Sequence, residues 1–195
     1  FCFLSLVNAQ VIDGDVELNS QADVDAFTGT SITGNLSIEG SDIVNLTPLS
    51  TLTSVGGDLD VSKNSALTNL NGLNNVTSVG GLLYIWGNTI LINLDGLGNI
   101  TSLGGGLAVG YNYALTNLDG LSNISSVDSS LFITHNNLIT NLNGLSNITS
   151  VGGVISILSN PALTNLDGLS NITSLGGSLT VSNNDVLNNL DGLIN

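Results

Sequence analysis

The chain has 195 residues and a net charge of −14, with one Lys, no Arg and 15 acidic residues. That balance excludes an electrostatic footprint for nucleic acid or for an anionic membrane surface. It also removes the guanidinium fork that grips carboxylates and phosphates, leaving solubility and weak attraction for cations.

Residues 1–9, Phe-Cys-Phe-Leu-Ser-Leu-Val-Asn-Ala, read as the rear of a secretory signal peptide. An apolar core is followed by Val7-Asn8-Ala9 as a small-residue cleavage site. Cys2 lies inside this segment, so the mature chain would carry no disulfide framework. No other apolar run is long enough to span a bilayer, so no membrane insertion of the mature chain is expected. An ordinary apolar N-terminal strand is the other reading of these residues.

Residues 10–32 read as an N-terminal cap. Ile12 to Leu18 alternates as a short strand entered through Gly14. Ser20 is placed to cap a short helix over Gln21 to Phe27, with Asp23 three residues on and Gly29 just past the end. Val24 and Phe27 would share its buried face.

Residues 33–195 are repeats. The Leu before Asp/Asn-Gly-Leu recurs at Leu70, Leu94, Leu118, Leu142, Leu166 and Leu190, always 24 apart. An ungapped period of this length marks a stacked solenoid, which grows along one axis instead of around one central core. The inward pairs Leu36/Ile38, Leu59/Val61, Leu83/Ile85, Leu107/Val109, Leu131/Ile133, Ile155/Ile157 and Leu179/Val181 predict one short strand per coil. Three residues past each pair from Val61 onward stands Asn64, Asn88, Asn112, Asn136, Asn160 or Asn184. An Asn there is expected to stack in a ladder and to satisfy backbone groups left open at the strand end. Apolar residues at every third position then follow, as in Leu115, Leu118, Leu121, Ile124 and Val127. That spacing fits extended, 3₁₀ or turn-like backbone. Gly-Gly at 80–81, 104–105, 152–153 and 176–177 is expected to allow the tight turn into the next strand. Asp128-Ser129 replaces it once. Leu190 and Leu193 need a neighbour, so the solenoid is expected to be incomplete at its C-terminus.

The pattern Leu-x-Val/Ile-x-x-Asn-x-x-Leu-x-x-Leu-x-x-Leu resembles a leucine-rich repeat. The fuller string at 163–184 more closely resembles the receptor L domain, with related repeats in bacterial and fungal cell-surface proteins. The chain lacks the cysteines that bracket animal L domains and so looks closer to bacterial secreted versions. The resemblance implies a right-handed parallel β-helix of about 24 residues per coil, here with a short helical cap. It also implies extracellular recognition, and it supplies no ligand.

The repeats provide their own control for a site: positions that hold the coil recur, and positions freed from that task vary. The outward strand columns vary most. One runs Asp60, Tyr84, Ala108, Phe132, Ser156, Thr180; the next Ser62, Trp86, Gly110, Thr134, Leu158, Ser182; the third Lys63, Gly87, Tyr111, His135, Ser159, Asn183. Tyr84, Trp86, Tyr111, Phe132, His135 and Leu158 are therefore the candidate ligand-binding residues, with Tyr113 beside them. Exposed aromatics on a rigid sheet make stacking platforms for a protein or glycan partner. Alternatively, the rings only cover the sheet and pair across strands.

Catalysis has no specific signal. A lone His135 is a weak metal ligand, Ser is too common to mark a triad, and the aromatic patch holds no pair of carboxylates for glycoside hydrolysis. No cofactor is indicated, and the chain is not expected to be an enzyme. Asp95, Asp119, Asp167 and Asp191, with Asn71 and Asn143, form a column that calcium could bridge, or whose side chains cap the Asp/Asn-Gly turn. Asn-x-Ser/Thr recurs at Asn35, Asn45, Asn75, Asn99, Asn123, Asn147 and Asn171 as a glycosylation pattern or a by-product of the repeat. The expected function is a secreted or cell-surface recognition or adhesion module. The alternatives are a passive spacer or an ice-binding solenoid built on the Thr77, Thr101, Ser125, Thr149, Thr173 ladder.

Overall fold

The structure, a computed structural model, describes residues 9–193. The signal-like segment, Ala9 excepted, lies outside the described residues, as do residues 194 and 195.

Alternating apolar residues give one strand per repeat. The strands are Val16–Leu18, Leu36–Ile38, Leu59–Ser62, Leu83–Trp86, Leu107–Gly110, Leu131–Thr134, Ile155–Leu158 and Leu179–Ser182. They stack in sequence order as one eight-stranded parallel sheet, called here the long sheet. Register shifts by one whole repeat per step: Leu83 pairs with Leu59 and Leu107, and Ile85 with Val61 and Val109. Like residues therefore meet like residues, and the inward leucines, isoleucines and valines form continuous buried rows. Burying each such side chain stabilises by roughly 1.5–3 kcal/mol before chain entropy is subtracted.

Two-residue strands form a second ladder. Val11–Ile12, Ser31–Ile32, Ser54–Val55, Ser78–Val79 and Ser102–Leu103 make five parallel strands, and Ser126–Val127, Ser150–Val151 and Ser174–Leu175 make three more. Single 3₁₀ turns such as Asp95–Leu97 and Asp119–Leu121 carry the chain between the ladders, accounting for the three-residue spacing of buried apolars. The result is a solenoid-like repeat fold of parallel strands, with one α-helix among the described residues.

That helix, Gln21–Asp25, stops short of the expected Phe27, with Ala26 as its C-cap. Its start follows the expected capping box: Ser20 Oγ accepts from Asp23 N–H, and the Asp23 carboxylate accepts from Asn19 N–H at 3.1 Å. Val24 and Phe27 are buried on the core. The segment read as a cap is itself a turn of the repeat, since Val11–Ile12 and Val16–Leu18 join both ladders. The helix stands where later repeats place a 3₁₀ turn.

Behind the long sheet runs the asparagine ladder. Asn64, Asn88, Asn112, Asn136 and Asn160 are fully buried. Asn112 Nδ2 donates to the Ile85 carbonyl at 2.9 Å, and its Oδ1 accepts the Asn88 N–H at 3.0 Å. Asn88 and Asn136 repeat the pattern one repeat to either side. The side chain thus satisfies one carbonyl and one N–H that the strand end leaves open.

The glycine pairs serve another purpose than the one expected. Gly104 and Gly152 do not have positive φ. An added Cβ would instead overlap the Gly80 carbonyl at Gly104, and the Asp128 carbonyl at Gly152. Close approach of neighbouring backbones, not turn freedom, demands glycine there. Where Asp128 replaces it, the second ladder splits between Ser102–Leu103 and Ser126–Val127. Thr101 and Gly104 N–H groups bond to Thr77 and Val79, each at 3.0 Å, whereas the Ser125 and Asp128 N–H groups do not join the ladder.

Candidate functional site on the outward strand face

The variable columns lie on the outer face of the long sheet. Four of the six candidates are brought together there as one run of rings. Tyr84 and Trp86 stack with centroids 5.1 Å apart and planes 9° apart. Trp86 meets Tyr111 at 5.1 Å with a tilt of 49°. Tyr111 stacks on His135 at 4.3 Å and 7°, and touches Tyr113 edge-on at 6.3 Å. Each such pair adds about 0.5–1.5 kcal/mol beyond its buried area.

Small neighbours make room for this run. Gly110 is the register partner of Trp86, and a Cβ on Gly110 would run into the Trp86 benzo ring. Ala108, outward-facing between Tyr84 and Phe132, is left only 4% exposed. The other two candidates stand apart. Phe132 joins no ring pair among the described residues and is 37% exposed. Leu158 is half-buried beside Thr134. His135 Nδ1 lies 2.7 Å from Thr134 Oγ1, which fixes the ring against the strand.

The column that carries Tyr111 and His135 has a backbone property that composition did not reveal. Lys63, Tyr111, His135, Ser159 and Asn183 all have φ of 54–55°, and Gly87 has φ of 70°. An L-residue held there costs roughly 1–2 kcal/mol. Gly87 and Asn183 were the sequence hints. Ring contacts on both sides of Tyr111, tilted with Trp86 and stacked with His135, help to offset that strain in the patch.

Sequence reasoning missed the flank that the chain enters on leaving these strands. Ile90, Ile92 and Leu138 are exposed there by 42%, 48% and 50%, in the same repeats as the rings. The internal control applies to them too. Ile90 and Leu138 share a column with Ala66, Ala114, Ala162 and the exposed Val186, and Ile92 shares one with Thr68, Thr116, Thr140, Thr164 and Asn188.

Toward the N-terminus the same face turns acidic. The column continues from Tyr84 to Asp60, Ser37 and Glu17 as register neighbours. Small Ser37 leaves a groove of about 240 Å³ between Glu17 and Asp60, with Asp15 and Asp58 at its mouth. Asp15 and Asp58 are occupied, accepting the N–H groups of Asn35 and Leu82 at 2.7 Å each. Glu39 pairs with Lys63 at 2.9 Å. Asp60 Oδ1 is buried without a hydrogen-bond partner. Burial raises the Asp60 pKa above the usual aspartate value, against a lowering hydrogen bond from Ser62. Burial also raises the Tyr84 pKa, and the neighbouring Asp60 charge adds to it.

Asp95 does not cap its own turn: Asn93 Oδ1 accepts the Asp95 N–H at 3.2 Å, and Asn117, Asn141 and Asn165 do the same in later repeats. The Asp carboxylates stay exposed at the start of each 3₁₀ turn. Among the described residues no three His, Cys, Asp or Glu side chains are grouped to hold a metal ion. The sequon Asn99, Asn123 and Asn147 side chains each donate Nδ2 at 2.6 Å to a carbonyl of the preceding repeat. The hydroxyls of Thr101 and Thr173 donate likewise, at 3.4 Å.

Comparison with protein-family models, with curated proteins and with solved structures gives no match for this chain. Among the described residues no helix is long and apolar enough to cross a membrane.

Proposed function

We propose that the chain is a right-handed β-solenoid of the leucine-rich-repeat and receptor L type. In this reading it serves as a non-catalytic recognition or adhesion module, secreted or held at the cell surface. It binds an extracellular protein or glycan through the outward face of its long sheet. One observation carries this reading: Tyr84, Trp86, Tyr111 and His135 form a continuous run of rings where neighbouring repeats carry Asp, Ser, Ala, Gly and Lys. The inward columns need none of these rings, and half-exposed aromatics clustered on a rigid sheet are the common anchors of binding faces.

A second reading is a passive spacer in which the rings merely cover the sheet. The position of the Trp86 ring over Gly110 favours it. The double substitution Tyr84→Ser, Trp86→Ser separates the two. Panels of extracellular proteins and glycans are screened with both forms, and stability is followed by circular dichroism. The recognition reading expects binding to vanish with the melting curve nearly unchanged. A variant that melts early, from a parent that captures nothing on either panel, supports the spacer.

A further inference from the structure

Two features of the patch narrow what it would hold. The first is its aliphatic flank. Ile90, Ile92 and Leu138 stand exposed in the same repeats as the rings, where the repeats next to each carry Ala or Thr; farther along, the first column holds Val186 and the second Asn188. A sugar uses aromatic faces and hydrogen-bonding groups, and three exposed aliphatic side chains offer it little. They suit the apolar side chains of a polypeptide.

The second is charge. Register places Asp60 next to Tyr84, and Glu17 lies across Ser37 from it. The nearby carboxylates of Asp15, Asp58 and Glu39 are already bonded and Asp60 takes a hydrogen bond from Ser62, so Glu17 is the carboxylate left open while Asp60 adds its charge from beside Tyr84. The chain holds one Lys and no Arg, and that Lys63 sits on Glu39. Charge complementarity therefore asks for a cation supplied from outside. Asp60 is half-buried with one oxygen unpartnered. A carboxylate held this way acts on a neighbouring charge more strongly than a fully solvated one.

Resting on the recognition-face reading above, we propose that the surface docks a cationic, partly apolar polypeptide segment. Its apolar side chains lie on Trp86, Tyr111, Tyr113 and Leu138, and its Arg or Lys side chains point toward Asp60 and Glu17. Arg suits this junction best, because its planar head stacks on a ring while bonding a carboxylate.

Trp86 is the only tryptophan, so its emission reports directly on the patch. The probe is a short peptide of Arg, Leu and Gly, titrated into the full chain. Its comparisons are the same peptide with citrulline for Arg, the same peptide with Gly for Leu, and cellohexaose as a neutral glycan. The expected result is a saturable shift in Trp86 emission with the Arg/Leu peptide. Each substituted peptide, and each of the protein variants Asp60→Asn and Leu138→Ser, then weakens binding by about tenfold, the loss of one charge-assisted or well-buried contact. Asp119→Asn, an equal charge change at an exposed 3₁₀ turn, leaves binding unchanged. Equal weakening by Asp60→Asn and Asp119→Asn overturns the proposal, because net charge alone would then explain binding. Equal binding of the citrulline peptide overturns it as well. Binding of cellohexaose but not of the peptide defeats this inference while leaving the recognition face standing. No response to any probe defeats the inference alone, since the protein and glycan panels judge the broader reading.

Discussion

The two parallel ladders of this molecule are made from the same repeats, yet one runs unbroken and the other splits. The long sheet crosses all eight strands although its outward residues range from Asp60 and Tyr84 to Ala108 and Phe132. From Ser54 onward the short ladder presents almost the same serine and glycine in each repeat, yet it breaks where Asp128 appears. The difference lies in what stands behind each strand. The long sheet is braced by buried asparagines that bond across repeats, so its outward positions are free to vary. The short ladder lays backbone against backbone at its glycines and parts at Asp128, although Thr33 in the same column keeps its bond to Ile12 at 3.0 Å. Variation, and with it any binding chemistry, is affordable on the braced face.

Removing the brace should have the largest effect. Asn112→Leu leaves the Ile85 carbonyl and the Asn88 N–H without their buried partner, which is expected to cost about 3 kcal/mol or more. Urea unfolding would measure it, and a loss below about 1 kcal/mol would mean that the ladder does not brace the sheet. Next comes an imitation of the natural fault. Gly152→Ala sets a methyl against the Asp128 carbonyl and is expected to cost about 1–3 kcal/mol. Amide exchange should then rise along Ser150–Val151 while the Ile155–Leu158 strand stays protected.

The reverse experiment is smaller. Asp128→Gly should let the Ser125 and Asp128 positions join the ladder, slowing amide exchange there. The stability gain should be below about 1 kcal/mol, because a new glycine loses more entropy on folding. Unchanged exchange would move the cause of the split elsewhere.

The smallest effect concerns the long sheet's acidic edge. Asp60 has a raised pKa in the fold, so its neutral form is favoured there. Its charged form therefore lowers stability at neutral pH. That cost is relieved as pH falls through the raised value toward the ordinary aspartate range. Asp60→Asn stays neutral throughout and should melt slightly higher than the parent near pH 7. The difference should close in acid, as thermal melts across pH would show. A variant of lower stability near pH 7 would contradict the assignment.

Much of the architecture was legible because the period is strict. Leucines 24 apart fixed the register of the long sheet, and Asn64 to Asn184 announced their ladder by position alone. The purpose of the glycine pairs was misread, since sequence shows a permissive residue and not the carbonyl of the next repeat pressed against it. The left-handed column was hidden because Lys63, Tyr111 and Ser159 seldom adopt that conformation, and Gly87 and Asn183 stand far apart as its clues. Tyr84, Trp86, Tyr111 and His135 were identified from column variation. Ile90, Ile92 and Leu138 vary as plainly, but an aliphatic side chain in a leucine-rich repeat reads as core until its exposure is seen. The groove beside Asp60 needed coordinates, because it arises from Ser37 lying between two longer neighbours.

A row of interchangeable modules held by nearest-neighbour contacts has a consequence for how it comes apart. Opening should begin at the two tips and travel inward, one module at a time, as in other quasi-one-dimensional folds. The aromatic run sits on the modules between residues 83 and 154 and has stacked repeats on both sides of it, so unzipping that starts beyond them reaches it late. Under mild heating the outer repeats would open first while the Trp86 surface stayed assembled.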